Sequence, residues 1–328
     1  MDLAATIANC ITVKAQFGTN YDDPNKLSIG FGINAKYARP MGVAITSIAI
    51  NNPEIYLDFH ILSSSIEQDD LERLKKLSAQ FTNILITIYI VDDSFISHLP
   101  ITKHIPLPMY YRLFMPFVLK GKDRVLYLDA DVLCQNKIAE LLYLDMKTYP
   151  AAVISDIEKT AIKQSKVLSL QSKAYFNSGV MLINVEQWLT KAVTEQVLAF
   201  FANSSIKVSY PDQDALNLIL ENNKIMLPRK WNYLLTNDNN DDIPNDVVFL
   251  HCTVSPKPWD ITCIRNTQAY RCYYHYESLS LWSGLPLIPP STHSDARRYA
   301  KRLISVWNII PGIFWYCKYL KMKYSRKN

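Results

Sequence analysis

The chain has 328 residues, 49% hydrophobic and 20% charged, with 8 Gly and 17 Pro, which is enough for one large core plus a small annex and excludes disordered and fibrous classes. Its six Cys (10, 134, 252, 263, 272 and 317) form no C-x-x-C pair and follow no secretory leader, so neither a disulfide framework nor a thiolate zinc site is expected, and a reducing cytoplasm is the default compartment. The net charge of +5 hides an asymmetry: residues 291–328 carry nine Lys/Arg against one acid, Asp295, while residues 1–290 carry 26 basic against 29 acidic side chains.

Residues 1–26 read as a polar opening segment. Leu27 to Ile33 (LSIGFGI) then reads as a buried strand, with the apolar run Met41 to Ile50 as the helix behind it. Ile55 to Leu62 alternates like a strand, and Ser65 with Gln68 predicts a capping box for a helix whose Leu71, Leu74, Leu77 and Phe81 fall three and four residues apart. Ile84 to Val91, a helical Met109 to Leu119 and the short strand Arg124 to Leu128 continue the alternation. Strand and helix in turn predict a doubly wound, mainly parallel α/β sheet with helices on both faces, whose ligands bind at the carboxyl ends of the strands.

The second half is less regular: strands Ala151 to Ile154 and Ala174 to Asn184, a long helix Val185 to Phe201 and a short one Gln213 to Glu221. A body of residues 27–285 thus precedes a basic extension, 286–328. Within it two amphipathic stretches, Ser294 to Asn308 and Ile313 to Lys323, are separated by Pro311 and Gly312. No window reaches about 18 uninterrupted apolar residues, so no spanning helix is expected. Trp307, Ile309, Ile310, Phe314, Trp315 and Tyr316 lie among Arg297, Arg298, Lys301, Arg302, Lys318, Lys321, Lys323, Arg326 and Lys327, a pattern that reads equally as an interfacial membrane element or as a packed helix with a solvated basic face. No domain-wide basic patch or binding motif points to nucleic acid.

The sharpest motif is VLYLDADVL, an apolar strand running into Asp129-Ala130-Asp131. Two carboxylates two residues apart at a strand end repel each other unless a cation holds them, which points to a divalent metal; the alternative is ordinary turn and capping chemistry. A strand followed by D-x-D-x-V-L also resembles the haloacid-dehalogenase phosphatases, with Asp129 as nucleophile and Asp131 as general acid. Those enzymes need a later acidic pair at another strand end, and the only later pair here, Asp241-Asp242, lies in a polar loop.

Further motifs follow in order: YYRL at Tyr110, YFNSGVMLINVEQW at Tyr175, YPDQDALN at Tyr210 and FLHCTVSPKPW at Phe249. Together with LYLDADVL and the strand GFGINAKY they resemble the family 8 glycosyltransferases, most of all the glucosyl- and galactosyltransferases of bacterial lipopolysaccharide core synthesis. The resemblance implies a GT-A-like nucleotide-diphospho-sugar transferase that retains anomeric configuration. It implies that Asp129, Asp131 and His251 hold Mn²⁺ or Mg²⁺ against the diphosphate of UDP-glucose or UDP-galactose, with Lys257 as a second cationic contact. It further implies that Arg112, Ala130, Asn177, Asp156, Gly32, Asn34 and Tyr37 fall on donor-binding positions and Asp212 and Gln213 beneath the anomeric carbon, with Gln213, Asp212 and Asp156 as the catalytic candidates.

Taken singly, the same residues read differently: Arg112 as a helix-surface charge, His251 as a core histidine, Lys257 as an exposed loop lysine and Asp212 as a helix N-cap. Asn34 stands where the family often has an Asp that accepts the uracil N3 proton, and Val254 where it commonly has Gly. Because Gln213 is a poor nucleophile, the expected mechanism is a front-face displacement in which the departing phosphate helps deprotonate the acceptor; double displacement through Asp156 or Asp212 is the alternative. The expected acceptor is the lipopolysaccharide core at the inner face of the cytoplasmic membrane. The competing classes are the phosphohydrolase and a non-catalytic membrane-binding module.

Overall fold

The computed structural model describes every residue except 1, 24, 103–105, 205, 237–241, 254, 264–266 and 326–328. Its strands are β1 (Ile11–Gly18), β2 (Lys26–Ile33), β3 (Tyr56–Ser63), β4 (Ile84–Val91), β5 (Arg124–Leu128), β6 (Val132–Cys134), β7 (Ala151–Ser155), β8 (Phe176–Asn184), β9 (Ile225–Leu227), β10 (Tyr233–Leu234) and β11 (Phe249–His251). Eight of them form one sheet in the order β1-β4-β3-β2-β5-β8-β7-β9. The centre is parallel, β4-β3-β2-β5, while β1 closes one edge antiparallel and β8 runs antiparallel between β5 and β7.

The helices are α1 (Leu3–Cys10), α2 (Ala38–Asn51), α3 (Gln68–Gln80), α4 (Met115–Val118), α5 (Glu158–Val167), α6 (Val185–Thr190), α7 (Val193–Asn203), α8 (Pro211–Ile219), α9 (Gln268–Leu279), α10 (His293–Ser305) and α11 (Ile309–Tyr324). Strand alternation divides the core between the two faces of the sheet. Leu126 and Leu128 of β5 pack with α2 and α3, and Val125 and Tyr127 of the same strand pack with α4, α6 and α7. Each fully buried aliphatic side chain of this kind contributes about 1.5–3 kcal/mol.

Five local expectations change. The opening segment is not only polar: Asp2 caps α1, accepting from Ala4 N at 3.0 Å, and Ile11 of β1 is buried as that strand pairs with β4. Its alternating Ile11, Val13, Ala15 and Phe17 carried that signal. No capping box forms at α3, where Glu67 is the N-cap without a side-chain bond and the Ser65 carbonyl instead accepts from Ser63 Oγ at 2.6 Å.

The helix expected over 109–119 is a 3-10 turn, Leu107–Leu113, followed by the single turn of α4, with prolines near both starts. The helix expected over 185–201 breaks at Ala192, which is left-handed with φ 50°. That break lets Trp188 Nε1 donate to Thr194 Oγ1 at 2.9 Å while Thr194 bonds the Leu113 carbonyl at 2.7 Å. In the extension the chain turns at Val306 to Asn308, with Trp307 at φ 59°, and Pro311 and Gly312 lie inside the first turns of α11. A Cβ on Gly312 would lie 2.6 Å from Ile304 Cγ1, so the glycine permits close packing of α11 on α10.

Candidate active site

The site lies where the topology predicts, at the carboxyl ends of β2, β5 and β7 and the start of the antiparallel β8. Asp129 follows β5 directly, and its N–H donates to the Gly179 carbonyl at 2.8 Å, which fastens the strand end to β8. Asp131 precedes β6, which pairs antiparallel with β11 in a register that sets His251 opposite Val132. Cys252 N–H donates to the Asp131 carbonyl at 2.9 Å. This small sheet brings together residues 120 positions apart, and ligand atoms of Asp129, Asp131 and His251 lie within 4.8 Å of one another.

Each carboxylate has a cationic partner. Asp131 lies 3.1 Å from His251 Nε2 and 2.7 Å from Lys257 Nζ. Burial disfavours the charge of Asp131, but Lys257 and then His251 outweigh it and hold the carboxyl well below the usual aspartate range. Arg112 is buried: Nη2 donates to Asp129 Oδ1 at 2.9 Å, Nε lies 3.0 Å from Asp212 Oδ2, and Nη1 donates to the Ser178 carbonyl. Its guanidinium stacks 4.5 Å over the Tyr127 ring. Burial opposes its charge, and Asp129, Tyr127 and Asp212 more than compensate. The readings of Arg112 as a surface charge and Lys257 as an exposed loop lysine are thereby replaced, because long-range carboxylates draw both inward.

A second layer joins the remaining predicted residues. Ser178 N–H donates to Gln213 Oε1 at 3.0 Å, so Gln213 Nε2 is the end that reaches Asp156 Oδ2 and Tyr175 OH, each at 2.9 Å. Asn177 Nδ2 reaches Gln213 Oε1 at 3.2 Å. Tyr175 donates to Asp214 Oδ1 at 2.6 Å, and Asp214 Oδ2 accepts Ser209 and Tyr210 N–H. Asp212 is therefore not a side-chain cap; Tyr210 is the N-cap residue of α8, Pro211 takes the first turn, and Asp212 faces Arg112. Burial raises the carboxyls of both Asp156 and Asp212 above the ordinary value.

At the β2 end, Gly32 permits the 3-10 segment to lie close: a Cβ there would sit 2.9 Å from Tyr111 Cβ and 3.0 Å from the Pro108 carbonyl. Asn34 Oδ1 accepts Lys36 N–H at 3.1 Å, leaving one lone pair and its amide free of that turn. Tyr37 packs edge-on against Trp259, and burial followed by Asp131 raises its hydroxyl above the usual value. Ala130 is buried between the two aspartates. Val254 and Asp241 lie outside the described residues, and Asp242 is exposed in its loop.

Sequence reasoning missed Asn232 and the role of Gly179. Asn232 is fully buried, 3.1 Å from His251 Nδ1, and carries no motif that marks it. A Cβ on Gly179 would lie 2.3 Å from His251 Cε1 and 2.6 Å from Asp129 Oδ2. Here the signal was the glycine in FNSG.

A mainly parallel α/β sheet with this site at its carboxyl edge is the GT-A architecture of nucleotide-sugar glycosyltransferases. It is shared with the galactosyltransferase LgtC in complex with donor and acceptor sugar analogs (TM-score 0.69, 22% identity, 78% of this chain and 96% of that one) and with the bifunctional glycosyltransferase WbbM (TM-score 0.67, 20% identity, 81% and 52%). The chain belongs to glycosyl transferase family 8: the family profile matches residues 28–263, and that of the family C-terminal region matches residues 269–323. It is 33% identical to the lipopolysaccharide 1,2-glucosyltransferase of Escherichia coli K12 over 94% of both chains. It is 29% identical to the lipopolysaccharide 1,3-galactosyltransferase of Salmonella typhimurium LT2 over 92% of this chain and 93% of that one. The phosphatase reading is not favoured, since Asp129 belongs to a family 8 motif and its Oδ1 is engaged by Arg112 and Tyr127.

Proposed function

We propose that this glycosyltransferase moves glucose or galactose, with retention, from a UDP-sugar to a hydroxyl of the lipopolysaccharide core, working on the inner face of the cytoplasmic membrane. The observation that carries the reading is the Asp129, Asp131 and His251 cluster, with Arg112, Lys257 and the Asp156-Gln213-Asn177 network gathered around one strand edge. The donor set of two carboxylates and an imidazole fits Mn²⁺ or Mg²⁺ and suits Mn²⁺ better than Ca²⁺. Such an ion supplies positive charge against the negative charge that grows on the UDP β-phosphate as the glycosidic bond breaks.

The protein's own groups do the rest. Lys257, paired with Asp131, offers its ammonium to the diphosphate, and Arg112 orients Asp129 and Asp212. Tyr37, Gly32 and Asn34 form the edge that takes the uridine, while Asn177 and Asp156 offer hydrogen bonds to the sugar hydroxyls. Gln213 has both ends of its amide committed, Oε1 to Ser178 N–H and Nε2 to Asp156 and Tyr175, which supports a shaping role beside the anomeric carbon. Asp212 is paired with Arg112 rather than free to attack, which favours the front-face displacement. The departing phosphate oxygen then takes the proton of the acceptor hydroxyl.

The test is UDP release from UDP-glucose and UDP-galactose separately, with Mn²⁺ or EDTA, with and without truncated core lipopolysaccharide, and with Asp131→Asn as control. Acceptor-stimulated release with one sugar, abolished by EDTA and reduced at least about 100-fold by Asp131→Asn, is the expected result. Release indifferent to both treatments overturns the reading.

A further inference from the structure

The orientation of the His251 ring can be read from backbone groups that only donate. Gly179 N–H reaches Asn177 Oδ1 at 3.0 Å, so that atom is the oxygen of the Asn177 amide. The Asn232 atom 3.0 Å from Asn177 Oδ1 is therefore a nitrogen, Nδ2. The Asn232 oxygen is left 3.1 Å from His251 Nδ1, and a carbonyl oxygen accepts but never donates. In the neutral ring the proton thus sits on Nδ1, and Nε2 turns its lone pair toward Asp131 at 3.1 Å and Asp129 at 3.9 Å. An imidazole lone pair facing two carboxylates is unfavourable unless a proton or a metal ion lies between them, and in either case Nδ1–H stays directed at Asn232, so the ring orientation is compatible with a metal-binding arrangement.

Asn232 is 0% exposed, its backbone N–H donates to the Arg229 carbonyl at 3.0 Å, and it directly precedes β10, which pairs in parallel with β11. Among the described residues its side chain is the only hydrogen-bond partner of His251 Nδ1. We propose that Asn232 is a positioning residue with two duties. Its oxygen fixes His251 in the tautomer that aims Nε2 at a divalent cation, and its amide nitrogen ties that ring through Asn177 to the sugar side of the site. The inference rests on Asp129, Asp131 and His251 being the metal site. It adds a coupling in which a displacement of Asn177 is felt at the metal-binding histidine.

The decisive experiment titrates Mn²⁺, without nucleotide, into the full-length protein and follows the free ion by electron paramagnetic resonance. Wild type, Asn232→Leu and Asn232→Asp are compared. Loss of an acceptor on the distal nitrogen of a metal-bound histidine typically weakens binding about 10–100-fold, and Asn232→Leu is expected in that range. Asn232→Asp keeps an acceptor for Nδ1–H but cannot donate to Asn177, so it is expected to bind Mn²⁺ at least as tightly as wild type while raising KM for the UDP-sugar. A purely structural role for Asn232 would not produce that split.

Wild type that binds Mn²⁺ while Asn232→Leu binds it equally well overturns the proposal alone. Wild type that binds no Mn²⁺ overturns the metal reading and this role together. Because a buried leucine there can prevent folding, the tautomer is also measured directly by two-bond ¹⁵N–¹H correlations in histidine-labelled wild type, at a pH where the ring is neutral. His251, identified by its absence in His251→Gln, is expected to carry its proton on Nδ1, and a proton on Nε2 overturns the proposal.

Discussion

Asp131 sits between the Lys257 ammonium and the His251 ring, and this placement has a consequence for the metal-free protein. Its folded carboxyl is held below the ordinary value of 3.8, since Lys257 and then His251 outweigh the cost of burial. A depressed carboxyl contributes stability that is present above the unfolded value and is lost as pH falls through it toward the folded one. Urea unfolding of wild type in EDTA should therefore lose stability relative to Asp131→Asn on going from about pH 5 to about pH 3. A pH-independent difference between the two proteins would show that the ion pair does not form. At this scale the two aspartates were visible from sequence because the apolar run before them is local. His251 and Lys257 had only the family resemblance to mark them, and Asn232 had nothing, because its partner His251 is 19 residues away and the contact is made by strand pairing.

Elements decide how those residues meet. The start of β8 passes so close to Asp129 and His251 that only a hydrogen fits on the α-carbon of Gly179. Gly179→Ala is expected to leave a folded protein whose affinity for Mn²⁺ falls by at least about 10-fold, because the methyl displaces the His251 ring from its ligand position. Equal Mn²⁺ titrations for the two proteins would show that the strand yields instead. Strand spans were legible where apolar runs are long and regular, as in Ile84–Val91 and Arg124–Leu128. Helix spans were less so: the break at Ala192 depends on Trp188 reaching Thr194 and Leu113, a tertiary demand that a continuous 3.6-residue period does not reveal.

On the scale of the whole molecule, the basic extension folds into an α10–α11 hairpin that touches the body through Arg302, whose guanidinium bonds the Thr262 and Cys263 carbonyls at 3.1 and 3.0 Å. Among the described residues no helix is long and apolar enough to cross a membrane. The hairpin nonetheless exposes Trp307 at 89% and Ile310 at 83%, beside Phe314 and Trp315, over which Lys318 is stacked. An apolar tip flanked by cations fits the proposed interfacial role. Retention of full-length protein on anionic vesicles is expected to fall by at least about 10-fold in the double variant Trp307→Ser, Ile310→Ser, with UDP release toward a soluble acceptor unchanged. Unaltered retention would assign the tip another use. Arg326 and Lys327 lie outside the described residues.

Composition, period and one Asp-x-Asp motif were enough to establish a mainly parallel α/β body, a basic tail and a strand edge carrying two carboxylates, since burial patterns and charge runs are properties of neighbouring residues. The tertiary structure alone decided which distant groups neutralise those carboxylates, which way each amide points and why Gly179 cannot be larger. These are matters of register and close packing, in which strands far apart in the chain are brought within hydrogen-bonding distance and a shift of one residue would turn every side chain to the other face.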